Sequence, residues 1–197
     1  MEYSASLVSK PFWYLETKLT AGYLAEGYTK ESLKKLVIEE NLYQTQTEYR
    51  AVEMLDTITR RLGCLPRSLI TEVANGDVVL SKILVLIALM RSDELFFEFV
   101  YEVVREKILI GENCLTNIDL DKFFEYKATQ SEKVANWSAK TISNLKHAYV
   151  KMLFEANILM TNRNPRPISA PILDSRIEDV LRENQMDMYL AAITGDL

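Results

Sequence analysis

Lys140, Asn144, His147 and Lys151 are spaced by four, three and four residues. On an α-helix, at about 100° per residue, all four fall within roughly 40° of Lys140. On the same ruler Ile142, Leu145, Tyr149, Met152, Leu153 and Ala156 fall between roughly 120° and 220°, on the opposite side. Two amines, an amide and an imidazole on a face without carboxylates suit a polyanion. Lysine bonds phosphate or the acceptors of guanine, and asparagine pairs bidentately with adenine. Ser138 and Thr141 stand at the expected start of this helix, where free amides and the dipole favour phosphate. The competing reading is a charged face that is merely solvated. Against it stand the absence of acids on the stripe, a turn before it and a basic segment after it.

Other chemistries find little support. Catalysis needs an activated nucleophile, a tuned base or a metal, and His147 is the only histidine. No Gly-rich phosphate loop, H-E-x-x-H, C-x-x-C or G-x-S-x-G occurs. Glu94, Glu98, Glu102 and Glu106 step by four along one helix face, but the Glu-x-x-His of a two-metal bundle is missing. Pairing with Arg91, Arg105 and Lys107, or plain solvation, is expected of that row. Cys64 and Cys114 stand among apolar neighbours without metal-ligand spacing, so they read as core thiols in a reducing compartment. Neither catalytic residues, nor a metal, nor a cofactor is expected.

The elements that must position the polar stripe follow from period and punctuation. Helices are expected over 12–26, 30–40, 48–62, 67–75, 78–90 and 92–109, then over 119–129, 132–136, 139–156, 177–184 and 187–194. The second group, with strands at 158–161 and 168–170 flanking a polar tip at 162–167, has the order of a winged helix-turn-helix over 119–170. Lys133 on its short helix, with Arg163 and Arg166 on the wing, extends the candidate DNA contact. A second helix-turn-helix is a candidate over 29–62. There Ala51, Leu55, Ile58 and Leu62 face a core, and Gln46, Arg50, Thr57 and Arg61 flank them. Its charges balance, so its electrostatic footprint is the poorer one.

Composition bounds the rest. Of 197 residues 48% are hydrophobic and 26% charged, with only 6 glycines and 5 prolines, which describes a compact all-α globule. The best boundary is the turn at 111–115. It divides a half of 1–111, with the 29–62 motif and central core helices, from one of 112–197, with the winged motif and an acidic helical tail. The net charge of −5 hides a basic block over 131–167 and an acidic one over 171–197. Residues 1–10 lack the pattern of a signal peptide. The uncharged run 83–90 is far short of the roughly 20 apolar residues a membrane span needs. The stripe Phe96, Phe97, Phe99, Val100, Tyr101, Val103 and Val104 reads as core packing before it reads as a partner groove.

Several of these segments closely resemble the BrxA family, small accessory subunits of BREX (bacteriophage exclusion) defence systems. They are Pro11-Phe-Trp-Tyr-Leu-Glu-Thr-Lys18, Phe96-Phe-Glu-Phe-Val-Tyr-Glu-Val-Val-Arg-Glu-Lys-Ile-Leu-Ile-Gly111 and Gln130-Ser-Glu-Lys-Val-Ala-Asn-Trp-Ser138, with Pro171-Ile-Leu-Asp174 and Tyr189-Leu-Ala-Ala-Ile-Thr-Gly-Asp196. The resemblance runs from end to end. It implies a bacterial cytoplasmic, non-enzymatic, all-α protein that binds double-stranded DNA through helix-turn-helix elements. It also implies service beside methyltransferase, ATPase and phosphatase-like subunits. A monomer without membrane attachment is expected. The alternatives are a scaffold that bridges other BREX subunits and a binder of structured RNA.

Overall fold

The computed structural model describes residues 3–195; Asp196, the last acid of the tail, and the first two residues of the leader reading lie outside them. The chain packs as two compact units, one made of residues 12–92 and the other of residues 3–11 with 93–195.

The first unit holds α1 (Tyr14–Ala25), α2 (Lys30–Glu39), α3 (Glu48–Leu62), α4 (Arg67–Asn75) and α5 (Val78–Ser92). Thr29 and Thr47 cap α2 and α3 by accepting from the N–H groups of Ser32 and Arg50, which satisfies donors that a helix start leaves open. Leu33 of α2, Leu55, Ile58 and Leu62 of α3, and Leu69 and Val73 of α4 are buried with the 83–90 run of α5. Among the described residues no helix is long and apolar enough to cross a membrane; the run is a core helix. The Lys18 ammonium closes the end of α4, donating to the carbonyls of Val73 and Gly76 and to Ser81 Oγ at 3.2, 2.8 and 2.8 Å.

The second unit holds α6 (Glu94–Phe99), a π-helical turn (Val100–Val104) and α7 (Arg105–Leu109), then β1 (Cys114–Leu115), α8 (Asn117–Gln130), α9 (Glu132–Ala135), α10 (Ala139–Glu155), β2 (Arg166–Pro167), α11 (Ser175–Glu183) and α12 (Asp187–Thr194). The helix expected unbroken over 92–109 is therefore interrupted, the Arg105 N–H reaching Val100 O. The extra residue in that turn shifts the face on which later side chains emerge. Glu98 and Glu102 converge on one buried cation, Lys127 of α8, each at 2.7 Å. The partner of these two acids thus comes from α8. Tyr3 OH donates to Glu98 at 2.7 Å.

Of the aromatic stripe, Phe96, Phe99, Val100 and Val104 are core, and Tyr101 and Val103 are half-buried. Phe96 and Phe99 lie 4.9 and 5.3 Å from the Tyr149 ring of α10, and Phe99 lies 5.1 Å from Phe123 of α8. Phe97 is half-buried against Tyr189 of α12. Cys64 and Cys114 are both free and partly exposed.

Candidate nucleic-acid interface

Two helices and an arm position the candidate residues. Ser138 caps α10, its Oγ accepting from the Thr141 N–H at 3.1 Å. Upstream, α8 opens with a capping box in which Thr116 and Asp119 exchange bonds. Downstream the chain turns back on itself. Leu159 bridges Ile168, and the Met160 N–H donates to Pro167 O at 3.0 Å. This returning strand also pairs with β1, with Cys114 opposite Pro167 and Leu115 opposite Arg166, which the sequence reading did not anticipate. Backbone pairing through Pro167 shortens the expected tip of 162–167 to residues 161–165.

The two faces of α10 divide as the spacing requires. Leu145, Tyr149, Met152, Leu153 and Ala156 are buried, with Ile142 half-buried. Lys140, Asn144, His147 and Lys151 are all exposed. Lys140 has no ion-pair partner among the described residues, whereas Lys151 meets Glu155 one turn on at 3.6 Å, its side chain still 65% exposed. A pair so open to water contributes little, and a phosphate can replace the carboxylate. His147 Nδ1 donates to Ser143 O at 2.7 Å, since a carbonyl can only accept, and this fixes the ring with Nε2 as its remaining polar atom. Lys146, beside the stripe, is tied to Asp121 of α8.

The other candidates divide by burial. Lys133 of α9 and Arg163 at the arm's tip are exposed. Arg166 is not on the surface: it is 7% exposed. Its Nη2 donates to Asn117 Oδ1 at 2.8 Å and its Nε to Asn162 O at 3.3 Å. The Asn117 N–H in turn donates to Asn164 Oδ1 at 2.9 Å. Arg166 therefore fastens the arm to α8, and burial lowers its pKa from the usual guanidinium value. Asn117, Asn162 and Asn164 belong to this fastening although nothing in their spacing singled them out. The only signal was the density of asparagine around Pro165.

In the first unit the flanking set is largely committed inward. Arg61 is 1% exposed and its guanidinium lies 5.6 Å from the Trp13 ring. A side chain so enclosed cannot touch DNA, so Arg61 leaves the candidate set. Arg50 is half-buried, 5.0 Å from the same ring and 2.6 Å from Glu53. Gln46, in the α2–α3 connection, remains exposed. No group of three or more potential metal ligands occurs among the described residues.

With this geometry in hand, comparison with known proteins is informative. The sequence model of the BrxA family matches residues 1–185. The chain is 37% identical over 194 residues to a BREX protein BrxA from Bacillus cereus, covering 98% of this chain and 97% of that one. It is 25% identical to a BREX protein BrxA from Escherichia coli, over 92% of this chain and 85% of the relative. A crystal structure of a protein from Magnetospirillum magneticum superposes with a TM-score of 0.83 at 20% identity, covering 100% of both chains, which establishes the shared fold.

Proposed function

The chain belongs to the BrxA family of BREX phage-defence proteins, and from that premise we propose that it is a non-enzymatic protein that holds double-stranded DNA through a winged helix-turn-helix. In this reading α8, α9 and α10 form the helical part, α10 lies in or along the major groove, and the arm after it is the wing. The observation that carries the reading is the division of α10: an apolar face on which Leu145, Tyr149, Met152, Leu153 and Ala156 are buried, and an opposite face on which Lys140, Asn144, His147 and Lys151 are exposed. Ser138, exposed at the start of α10, caps it by accepting from the Thr141 N–H, and a helix start is where a phosphate is favoured. Arg163 on the wing tip and Lys133 on α9 supply flanking contacts, while Gln46 is what remains of the second candidate motif. Other BREX subunits are further partners, and the bacterial cytoplasm, as a monomer, is the setting.

A gel-shift or anisotropy titration with purified protein tests this. Replacing Lys140, Asn144 and Lys151 together by alanine weakens duplex binding at least tenfold and leaves the circular dichroism spectrum unchanged. Equal retention of DNA by the triple variant removes α10 from the account. If the chain instead prefers folded RNA to duplex in direct competition, the ligand class is wrong. Binding of another BREX subunit that persists undiminished at high salt, with no duplex binding, favours a scaffold, because apolar contacts are not screened.

A further inference from the structure

Between α8, α10 and the wing lies a cleft of about 820 Å³, within the roughly 300–1,000 Å³ range of ligand sites. Its floor is apolar, made of Leu120, Ile142, Val150 and Phe154; Val150 is 6% exposed and Phe154 38%. Neither belongs on a polar recognition face, and neither is explained by contact with phosphate. The rim carries donors and acceptors together. Lys146 is ion-paired directly with Asp121 of α8, Lys151 meets Glu155 one turn on, and His147 lines the cleft with them. Arg166 lines it too, nine-tenths buried, with Nη1 lacking any hydrogen-bond partner among the described residues.

We infer that this cleft receives one unpaired nucleobase of the bound strand, stacked against Phe154. The inference rests on the DNA reading of α10. A site built for phosphate alone would not carry two carboxylates. Asp121 and Glu155 suit the exocyclic amino group of a base, as acidic side chains do when they accept from cytosine N4, while Lys146 and Lys151 suit its acceptors. A concave, apolar floor cannot be reached by a base still inside the stack, so the base must be extrahelical. The position fits as well: His147 and Lys151 belong both to the polar stripe and to the cleft, so a strand that follows the stripe passes its mouth. Stacking on one aromatic ring holds any base, which predicts tolerance of sequence.

The test compares a fully paired duplex with one carrying a single bulged 2-aminopurine, both titrated against the full chain. The bulged duplex binds roughly tenfold tighter, the scale of one base–aromatic stack, and its fluorescence changes on binding. Phe154→Ala abolishes that preference while paired-duplex affinity stays within twofold. Ser143→Trp, at an exposed position on the cleft lining, occludes the cleft without disturbing the core and has the same effect. Equal affinity of the wild type for both duplexes overturns the inference. So does displacement of the bulged strand by free AMP at an affinity above that of the bulge, which assigns the cleft to a mononucleotide. If neither duplex binds the wild type at all, the DNA reading itself has failed and takes the inference with it. Paired binding without a bulge preference fails the cleft alone.

Discussion

Arg163 and Arg166 stand three residues apart on one arm and meet opposite fates, the first in water and the second sealed against Asn117 and Asn162. Arg166→Ala leaves these acceptors without their charged donor. Hydrogen bonds of that kind are worth about 1.5–3 kcal/mol. The variant therefore unfolds at lower urea concentration and loosens the wing, detectable as faster amide exchange over residues 158–168. Asp119 gives a second prediction at this scale. Burial alone would raise its pKa, but bonds from the Thr116 N–H and hydroxyl and from Lys107 prevail and hold it below the ordinary 3.8. A carboxyl with a depressed native pKa stabilises the fold above the unfolded value and loses that contribution as the pH falls through the native one. Asp119→Asn should accordingly flatten the decline of the urea midpoint below about pH 4, in the range its 3.8 reference value sets; an unchanged acid limb would refute it. The polar stripe of α10 was legible because period alone sorts a helix into faces. The burial of Arg61 and Arg166 was not, because it depends on Trp13 and Asn117, which other elements bring to them.

Among elements, α10 has the most to lose. Ser138→Ala removes its cap and costs about 1 kcal/mol, with Thr141 left beside an unsatisfied amide. Leu153 is 0% exposed, and Leu153→Ala costs about 3 kcal/mol through lost transfer energy and a cavity. Chemical denaturation measures both, and only the first should also weaken duplex binding, since only Ser138 stands at the polar face. The predicted bounds of 48–62, 67–75 and 187–194 agree with α3, α4 and α12, because apolar period runs through each and a glycine, Gly63, Gly76 or Gly195, follows its end. What escaped was β1. Two residues are too few to alternate, and their partner lies at Arg166–Pro167, some fifty residues on. The π-helical turn escaped for a related reason: Val100–Val104 is as apolar as the helix around it, so composition holds no trace of the extra residue.

At the scale of the molecule, charge sets how tightly DNA would be held under the proposed function. In the proposed reading a net −5 chain would grip a polyanion only through its basic block, with few phosphates contacted. For three such contacts the affinity falls roughly 40-fold as salt rises from 50 to 200 mM, which anisotropy at several salt concentrations checks. A flat response would exclude a phosphate-led contact. The all-α fold was legible from scarce glycine and proline. The acid–lysine convergence on Lys127 was not, since it joins α6, the π-helical turn and α8 through space.

The 3-10 turn Ser6–Val8 packs on α10, with Leu7 only 2% exposed, although α10 begins at Ala139. In order of synthesis the turn precedes α10 by more than a hundred residues, and until that helix is made it has no such partner to lean on. Residues 12–92, a compact unit of their own, lie between the two in the chain. The turn therefore stays without its packing partner until the helix proposed to read DNA has been synthesised. Closing so long a loop adds only a slowly growing entropic charge. The rod proposed to face DNA is thus steadied by residues made more than a hundred codons earlier, and it is complete only once that distant segment has closed on it.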